Sequence, residues 1–365
     1  MINFQCFTRE WIMDHARKLN CRNPVLLEKA IIALQVVANL VENRLPFQFK
    51  GGTSLLLRLN PIRRLSIDID IVTQATPEEI LSILQRVTDL PPLTGFKHDV
   101  IRDRDLPPKK HFKIFYPSQI ETKTDHVLLD ILFETSNTSR SEAVLIDTPF
   151  IMPDRKVLVN MPSINALLAE KLTAFAPYTI GILYDIKRST DIVKQLFDIG
   201  ALFDVVSDLN EIKSSYEAVH SLQCKYRERN YSLEDTLLDS INAGFKYSQI
   251  DLKGGIESEI GALIKKGIGS LQTHLTAFDF SRDQARITAG KMACVATWIL
   301  KKSTYKTIDD LRYQELAIET LRDYQILEPW MTINRLRGSN PEAFYYWYLA
   351  QQILTLGKKR ENGQH

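Results

Sequence analysis

Two aspartates, Asp68 and Asp70, stand two positions apart in a segment that alternates polar and apolar residues. Such alternation predicts a β-strand whose successive side chains point to opposite faces, so both carboxylates would project from one face. At about 3.3 Å of rise per residue, their Cβ atoms are expected roughly 7 Å apart, within reach of one or two hard cations, with Mg²⁺ favoured. The polar face would carry Ser66, Asp68 and Asp70, and the apolar face Leu65, Ile67, Ile69 and Ile71.

A glycine pair, Gly51 and Gly52, lies between a predicted strand at 46–49 and a predicted helix that begins at Thr53 or Ser54. Glycine lets a ligand approach the backbone closely, and the free N–H groups and dipole at a helix start favour a phosphate. The alternative is a simple tight turn followed by an edge strand with a solvated acidic face. The succession of both features favours a phosphate-binding turn that leads into a metal-binding strand.

A third acidic residue, Asp130, lies inside the apolar segment 124–134. Burial of an isolated carboxylate in such a strand is unfavourable unless a cation or a hydrogen-bond donor meets it. We therefore expect Asp130 to be a third metal ligand or the base for an acceptor hydroxyl. A structural position at a strand end is the alternative, and Asp125 and Glu134 are further candidates for the third carboxylate.

Two later helices carry charged residues of interest. Lys171 falls on the apolar stripe of a predicted helix at 163–176, which points its side chain toward the protein body unless the ammonium extends back to water. A second predicted helix, at 189–203, carries Asp191 and Asp198 at helical spacing. By themselves these aspartates are typical of a solvated face.

The order Gly-Gly-Thr-Ser followed by Arg64-x-Ser66-x-Asp68-x-Asp70 resembles the DNA polymerase β type nucleotidyltransferase superfamily, and within it the AbiEii/AbiGii toxin-like family. The resemblance is strong over residues 47–71 and weaker to about residue 202. Its glycine-to-aspartate spacing is at the long end of the superfamily range. The family also has a recurring Glu-Lys-Leu triplet and a late aspartate after an aromatic residue. Glu170-Lys171-Leu172 and Phe197-Asp198-Ile199 match these two features, which favours Asp198 over Asp191.

The resemblance implies transfer of a nucleoside monophosphate from an NTP to an acceptor hydroxyl, with pyrophosphate leaving. It implies that Lys171 contacts the triphosphate, and that Arg64 reaches the same phosphates or supports Ser66. The NTP phosphates would be held by Gly51, Gly52, Thr53, Ser54, Arg64, Ser66 and Lys171. Mg²⁺ would be bound by Asp68, Asp70 and Asp130, with Asp198 completing the catalytic set.

The same family contains toxins of toxin–antitoxin and phage-defence (abortive infection) systems, so a cognate antitoxin is an expected partner. Family members that add nucleotides to tRNA make tRNA the first expected acceptor. Three alternatives stay open, because a fold and a motif do not fix a substrate. They are a transferase acting on a protein hydroxyl, a transferase acting on a small molecule, and a non-catalytic binding module of a toxin–antitoxin pair.

The composition sets limits on these interpretations. The chain has 365 residues and a formal net charge of +2, so any contact with RNA must come from a local patch rather than from overall basicity. The four cysteines have no metal-binding spacing, which favours free thiols in a reducing cytoplasm. No apolar run is expected to reach the roughly 18 to 20 residues that span a bilayer, so no membrane association is expected.

The predicted fold is α/β (α+β). A nucleotidyltransferase domain at 1–160 would contain a mixed β-sheet core with flanking helices, and a mostly helical domain at 161–365 would bind substrate or partner. Strands are predicted near 95–101, 111–116, 127–133 and 156–159, and helices at 9–19, 24–42 and 77–88. Late aromatic residues at 345–348 either stack unpaired bases or pack in the helical core.

Overall fold

A computed structural model describes residues 1–103, 106–134, 140–185, 187–255, 259–301, 305–314 and 318–361, with side chains described to residue 355 except that of residue 318. The chain forms two compact units. The first contains Met1–Ser163 together with Thr273–Phe278, and the second contains Ile164–Gln272 and the described residues from Asp279 onward.

The first unit is built on a mixed five-stranded sheet with the strand order β1-β2-β5-β4-β3. Strands β2 and β5 are parallel, whereas the β1–β2, β4–β5 and β3–β4 pairs are antiparallel. The predicted mixed sheet with flanking helices is thereby confirmed. The strands are β1 (Phe47–Lys50), β2 (Ile69–Thr73), β3 (Gly95–His98), β4 (Lys109–Pro117) and β5 (Thr124–Phe133), with a separate antiparallel pair of β6 (Ser141–Leu145) and β7 (Leu158–Pro162).

The described residues of this unit form the helices α1 (Arg9–Lys18), α2 (Pro24–Glu42), α3 (Gly51–Ser54) and α4 (Pro77–Thr88). Helix α2 packs on β5, β7 and α4, and its apolar residues join the main core of the unit. By length and composition α2 could cross a membrane, contrary to the expectation that no apolar run is long enough. However, 72% of its most apolar stretch is buried inside the protein, as expected of a core helix.

The strand predicted over 65–71 begins only at Ile69. Its first residues instead pair with a segment more than 200 residues later in the chain, because the Leu65 N–H donates to the His274 carbonyl at 2.7 Å. The hydroxyl of Thr276 donates to the Ile62 carbonyl at 2.6 Å and continues this pairing. The helix expected from Thr53 or Ser54 is also different, since it starts at Gly51 and continues only as a 3-10 turn, Leu55–Leu57.

The second unit is helical throughout its regular structure in the part of the chain that is described. Its late aromatic residues pack inside it: Trp347 is fully buried, with its ring centroid 5.0 Å from that of Trp330. This favours core packing over base stacking for the 345–348 cluster. The helices are α5 (Ile164–Ala174), α6 (Ser189–Phe203), α7 (Leu209–Arg227), α8 (Leu233–Gln249), α9 (Glu259–Leu271), α10 (Arg282–Lys301), α11 (Ile318–Leu321) and α12 (Pro341–Glu361).

Candidate active site

Asp70 and Asp130 lie directly beside each other on the parallel strands β2 and β5. Neighbouring strands are about 4.8 Å apart, and paired positions project to the same face of a sheet. The register continues on both sides, because Lys50 of β1 pairs with Asp70 and His111 of β4 pairs with Asp130. Four ionisable residues from four strands therefore form one row across the sheet.

Asp130 is held by two partners that the sequence did not predict. The Nδ1 atom of His111 lies 2.7 Å from Asp130 Oδ1, and the guanidinium of Arg102 lies 3.4 Å from Oδ2. His111 is almost buried, with 8% of its side chain exposed, and 17% of the Asp130 side chain is exposed. If Asp130 is ionised, its carboxylate can only accept, which assigns the hydrogen of this contact to His111 Nδ1. The burial cost that singled out Asp130 is thus met by protein donors.

The glycine pair fits closely against the motif that follows it. Gly51 has a φ of +78°, and a Cβ atom added there would collide with the carboxylate of Asp70. A Cβ atom on Gly52 would lie 2.7 Å from Ser66 Oγ and 2.8 Å from a guanidinium nitrogen of Arg64. The fold therefore brings both glycines together with Arg64, Ser66 and Asp70.

Thr53 and Ser54 have no exposed surface and donate their hydroxyls to backbone carbonyls. The Thr53 hydroxyl bonds to the carbonyl of Asp68, and the Ser54 hydroxyl bonds to the carbonyl of Gly51 at 2.8 Å. The Thr53 contact ties the glycine turn to the backbone just before β2, and the Ser54 contact lies within the turn itself. The structure thus engages both hydroxyls with the backbone, and the part of Thr53 and Ser54 in holding the triphosphate stays a prediction.

The other carboxylates of the predicted set have different surroundings. Asp68 precedes β2 and is exposed. Asp125 lies five positions before Asp130 on the same strand, hence on the other face, and pairs with Lys29 at 2.9 Å. Burial alone would raise its pKa, but the bonds from Lys29 and from a backbone N–H hold the pKa of Asp125 below its ordinary value. Glu134 follows the end of β5, where its N–H donates to Thr73.

The donor chemistry of this row suits a hard divalent cation, because Asp70 and Asp130 offer carboxylate oxygens on one face of neighbouring strands. Asp68, two positions before Asp70 in the sequence, is a further carboxylate. Within the described residues, no group of three acidic, histidine or cysteine side chains is gathered closely enough to hold a metal. Asp130 is engaged by His111 and Arg102 instead.

Lys171 and Asp198 meet inside the second unit. Lys171 Nζ lies 2.8 Å from Asp198 Oδ2, and only 8% and 2% of the two side chains are exposed. Asp191 is on the outside of the same helix, α6, where it lies 3.7 Å from Arg188. Of the two late aspartates, Asp198 is therefore the one that is buried and paired with Lys171.

The sequence profile of the nucleotidyl transferase AbiEii toxin family (type IV toxin–antitoxin system) matches residues 33–283. The chain belongs to this family, which makes it a nucleotidyltransferase of the toxin–antitoxin class. No curated protein matches the chain.

Two solved structures from Helicobacter pylori are similar to it. One, a candidate nucleotidyltransferase, has 16% identity and a TM-score of 0.44, over 79% of this chain and 96% of its own. The other, JHP933, has 14% identity and a TM-score of 0.38, over 100% of this chain and 97% of its own.

Proposed function

We propose that this protein is an Mg²⁺-dependent transferase that moves a nucleoside monophosphate from an NTP to a hydroxyl of tRNA, as the toxin of a toxin–antitoxin pair. The observation that carries the proposal is the placement of Asp70 against Gly51 and in register with Asp130. This arrangement puts a glycine turn, which suits a phosphate, beside two carboxylates, which suit the metal that accompanies a triphosphate.

In this proposal the backbone of Gly51 and Gly52 holds the phosphates of the NTP. Arg64 and Ser66 lie against Gly52, so their guanidinium and hydroxyl groups are suited to donate to the same phosphate oxygens. Thr53 and Ser54 act indirectly, since their hydroxyls fix the turn. Any side chain larger than glycine at position 51 would occupy the space beside Asp70.

The reaction forms a bond between the acceptor oxygen and the α-phosphorus and breaks the bond from that phosphorus to pyrophosphate. Mg²⁺ held by Asp68, Asp70 and Asp130 would neutralise the phosphate charge and lower the pKa of the acceptor hydroxyl. Asp130 is also suited to receive the acceptor proton, with His111 holding its Oδ1 atom in place. A base supported in this way needs little reorganisation during the reaction.

The roles that the family resemblance gives to Lys171 and Asp198 are part of the proposal. Lys171 would counter the charge that develops on the leaving pyrophosphate, and Asp198 would position its ammonium. Within the second unit the ion pair already orients the Lys171 side chain, which limits the entropy that this side chain can still lose. We place the activity in the cytoplasm, where tRNA, NTPs and a cognate antitoxin are together.

The experiment is incubation of the purified protein with total tRNA, Mg²⁺ and each of the four α-labelled NTPs in turn. Asp70→Asn is the test variant, and Asp283→Asn, an exposed aspartate of α10, is the matched control. We expect label in RNA with the wild type and the control only, and only when Mg²⁺ is present. Label in a polypeptide would instead establish a protein acceptor. Absence of label in RNA and in protein would overturn the proposal.

A further inference from the structure

A cavity of about 750 Å³ lies entirely within the second unit. One wall is a stripe along α8, whose members recur every three or four positions and therefore share one helix face. A different side of α8 packs on α10, where Gly244 faces Met292 and Ala289. The stripe consists of Asp235, Leu238, Asp239, Asn242, Lys246 and Gln249, and Tyr178, Thr179, Tyr231 and Phe245 complete the lining.

Asp239 is the buried polar group of this cavity, with 7% of its surface exposed. Its Oδ2 atom accepts the backbone N–H of Tyr178 and the hydroxyl of Thr179, both at 2.8 Å. Its Oδ1 atom is buried and has no hydrogen-bond partner in the part of the chain that the structure describes. Burial also raises the pKa of Asp239 above its ordinary value. An unsatisfied buried acceptor is costly, so a ligand that donates an N–H group would relieve this cost.

Lys246 gives the cavity a positive charge next to aromatic surface. Its ammonium donates to the Tyr178 hydroxyl at 2.8 Å and lies 4.4 Å from the centroid of the same ring. Tyr178 is 51% exposed, and the ring of Tyr184 lies beside it at a tilt, with the two centroids 5.6 Å apart. Phe245 offers a second aromatic surface and is held edge-on by Trp347, with ring centroids 5.7 Å apart. The cavity therefore combines stacking surfaces, a cation and an acceptor for N–H groups.

We propose that this cavity binds one unstacked nucleotide whose base donates an N–H group to Asp239. A nucleotide satisfies all three features, because its base stacks on aromatic rings, its edge carries N–H donors and its phosphate is attracted to Lys246. A cationic ligand is disfavoured because Lys246 already occupies the aromatic face. A purely apolar ligand would leave the Asp239 Oδ1 atom unsatisfied. Building on the proposed function, we assign the bound nucleotide to an unpaired position of the acceptor RNA.

The first test measures binding to the full chain by isothermal titration calorimetry, with two probes. Adenosine 5′-monophosphate carries an exocyclic amino group, whereas purine riboside 5′-monophosphate lacks every N–H donor on the base. We expect the adenosine nucleotide to bind about tenfold more tightly, as one lost hydrogen bond implies. Equal affinities, or binding of neither probe, would overturn the proposal.

Pocket variants locate the binding. Asp239→Asn preserves acceptance from Tyr178 and Thr179 but places an amide N–H where the Oδ1 atom was, so it should repel the base and weaken binding by at least tenfold. Tyr178→Ala and Asn242→Ala, both at exposed positions, should weaken binding without unfolding the protein. Gln284→Ala, at an exposed position of α10 outside the cavity, is the control and should change nothing. Unchanged affinity in all three pocket variants would contradict the assignment.

A final set of experiments tests whether the cavity binds RNA as well as a free nucleotide. It also distinguishes failure of this inference from failure of the proposed function. A short single-stranded RNA should compete with the adenosine nucleotide at the cavity, and Asn242→Ala should raise the KM for tRNA in the labelling assay with little change in kcat. Failure of an excess of RNA to compete would overturn the assignment to RNA.

Asp70→Asn should retain binding to the cavity while losing transfer. Transfer with an unchanged KM in Asn242→Ala would overturn this inference alone, whereas nucleotide binding without any transfer would overturn the proposed function alone.

Discussion

Lys171 and Asp198 form an ion pair of 2.8 Å between two nearly buried side chains of α5 and α6. The same two helices bury apolar residues close to the pair in sequence, among them Leu168, Leu172 and Ile199. Burying two charges requires their desolvation, and their attraction recovers this cost only while both partners are present. The pair is therefore stable as a unit and sensitive to the loss of either member.

We predict that Asp198→Ala lowers the free energy of unfolding by about 3–5 kcal/mol, because it leaves the Lys171 charge buried without its carboxylate partner. The double variant Lys171→Met, Asp198→Leu should be more stable than the single variant, since it removes both charges. Urea unfolding of the wild type, the single variants and the double variant measures this coupling. Additive losses would show that the two charges do not depend on each other. In the labelling assay the double variant should be folded but inactive.

Gly51→Ala should reduce both stability and nucleotidyl transfer. The backbone at Gly51 has a positive φ, which alone costs an alanine on the order of 1–3 kcal/mol, and the new methyl group collides with Asp70. Gly269→Ala in α9 is the matched control, since a Cβ atom there meets nothing within 4 Å. Helix propensity predicts that this control variant has a free energy of unfolding roughly 0.5–1 kcal/mol higher than the wild type. The measurements are thermal unfolding and initial labelling rates; equal behaviour of the two variants would refute the close fit at Gly51.

His111→Ala should lower transfer activity by about 10–100-fold, because Asp130 loses the donor that fixes its Oδ1 atom. His126→Ala, at a more exposed histidine of β5, should retain activity. Single-turnover labelling over a range of Mg²⁺ concentrations tests both variants. If His111→Ala is as active as wild type at every Mg²⁺ concentration, the contact is structural only.

The stability of the protein should fall as the pH drops through about 6.5, partly because of His220. Burial lowers the pKa of His220, so the unfolded chain binds a proton at a pH where the folded protein does not. Its contribution is therefore present above the ordinary histidine pKa and is lost progressively below it. His220→Gln should make the free energy of unfolding less dependent on pH between about 7.5 and 5.5. Urea unfolding at several pH values gives the slope of the free energy of unfolding against pH for the wild type and for His220→Gln. Identical slopes in the two proteins would exclude this role for His220.

Much of the site's local geometry could be predicted because it is encoded in one contiguous stretch. The alternation around Asp70 and the glycine pair at Gly51 report local conformation, and local conformation is what sequence periodicity describes. Asp130 was singled out by a different argument, the cost of a carboxylate within an apolar strand. The structure places it beside Asp70. The catalytic and binding roles of these residues stay predictions.

The remaining features depend on pairing between distant segments. His111 and Arg102 reach Asp130 through the register of β4 and through the 3-10 turn Val100–Arg102, which no local pattern specifies. The late start of β2 has the same origin, since Leu65 bonds to His274. An alternating pattern predicts a strand but does not identify the segment that pairs with it. The pattern therefore predicted a start at Leu65, four residues before the observed start at Ile69.

The pairing of Leu65 with His274 also has a consequence for the order in which the protein becomes complete. The partner segment, Thr273–Phe278, is synthesised more than 200 residues after the stretch that carries Arg64 and Ser66. Until this segment has been synthesised, the stretch lacks the backbone partner that holds it in the finished fold. Translation therefore has to continue through residue 278 before the first compact unit can be complete, although all its other residues precede Ile164.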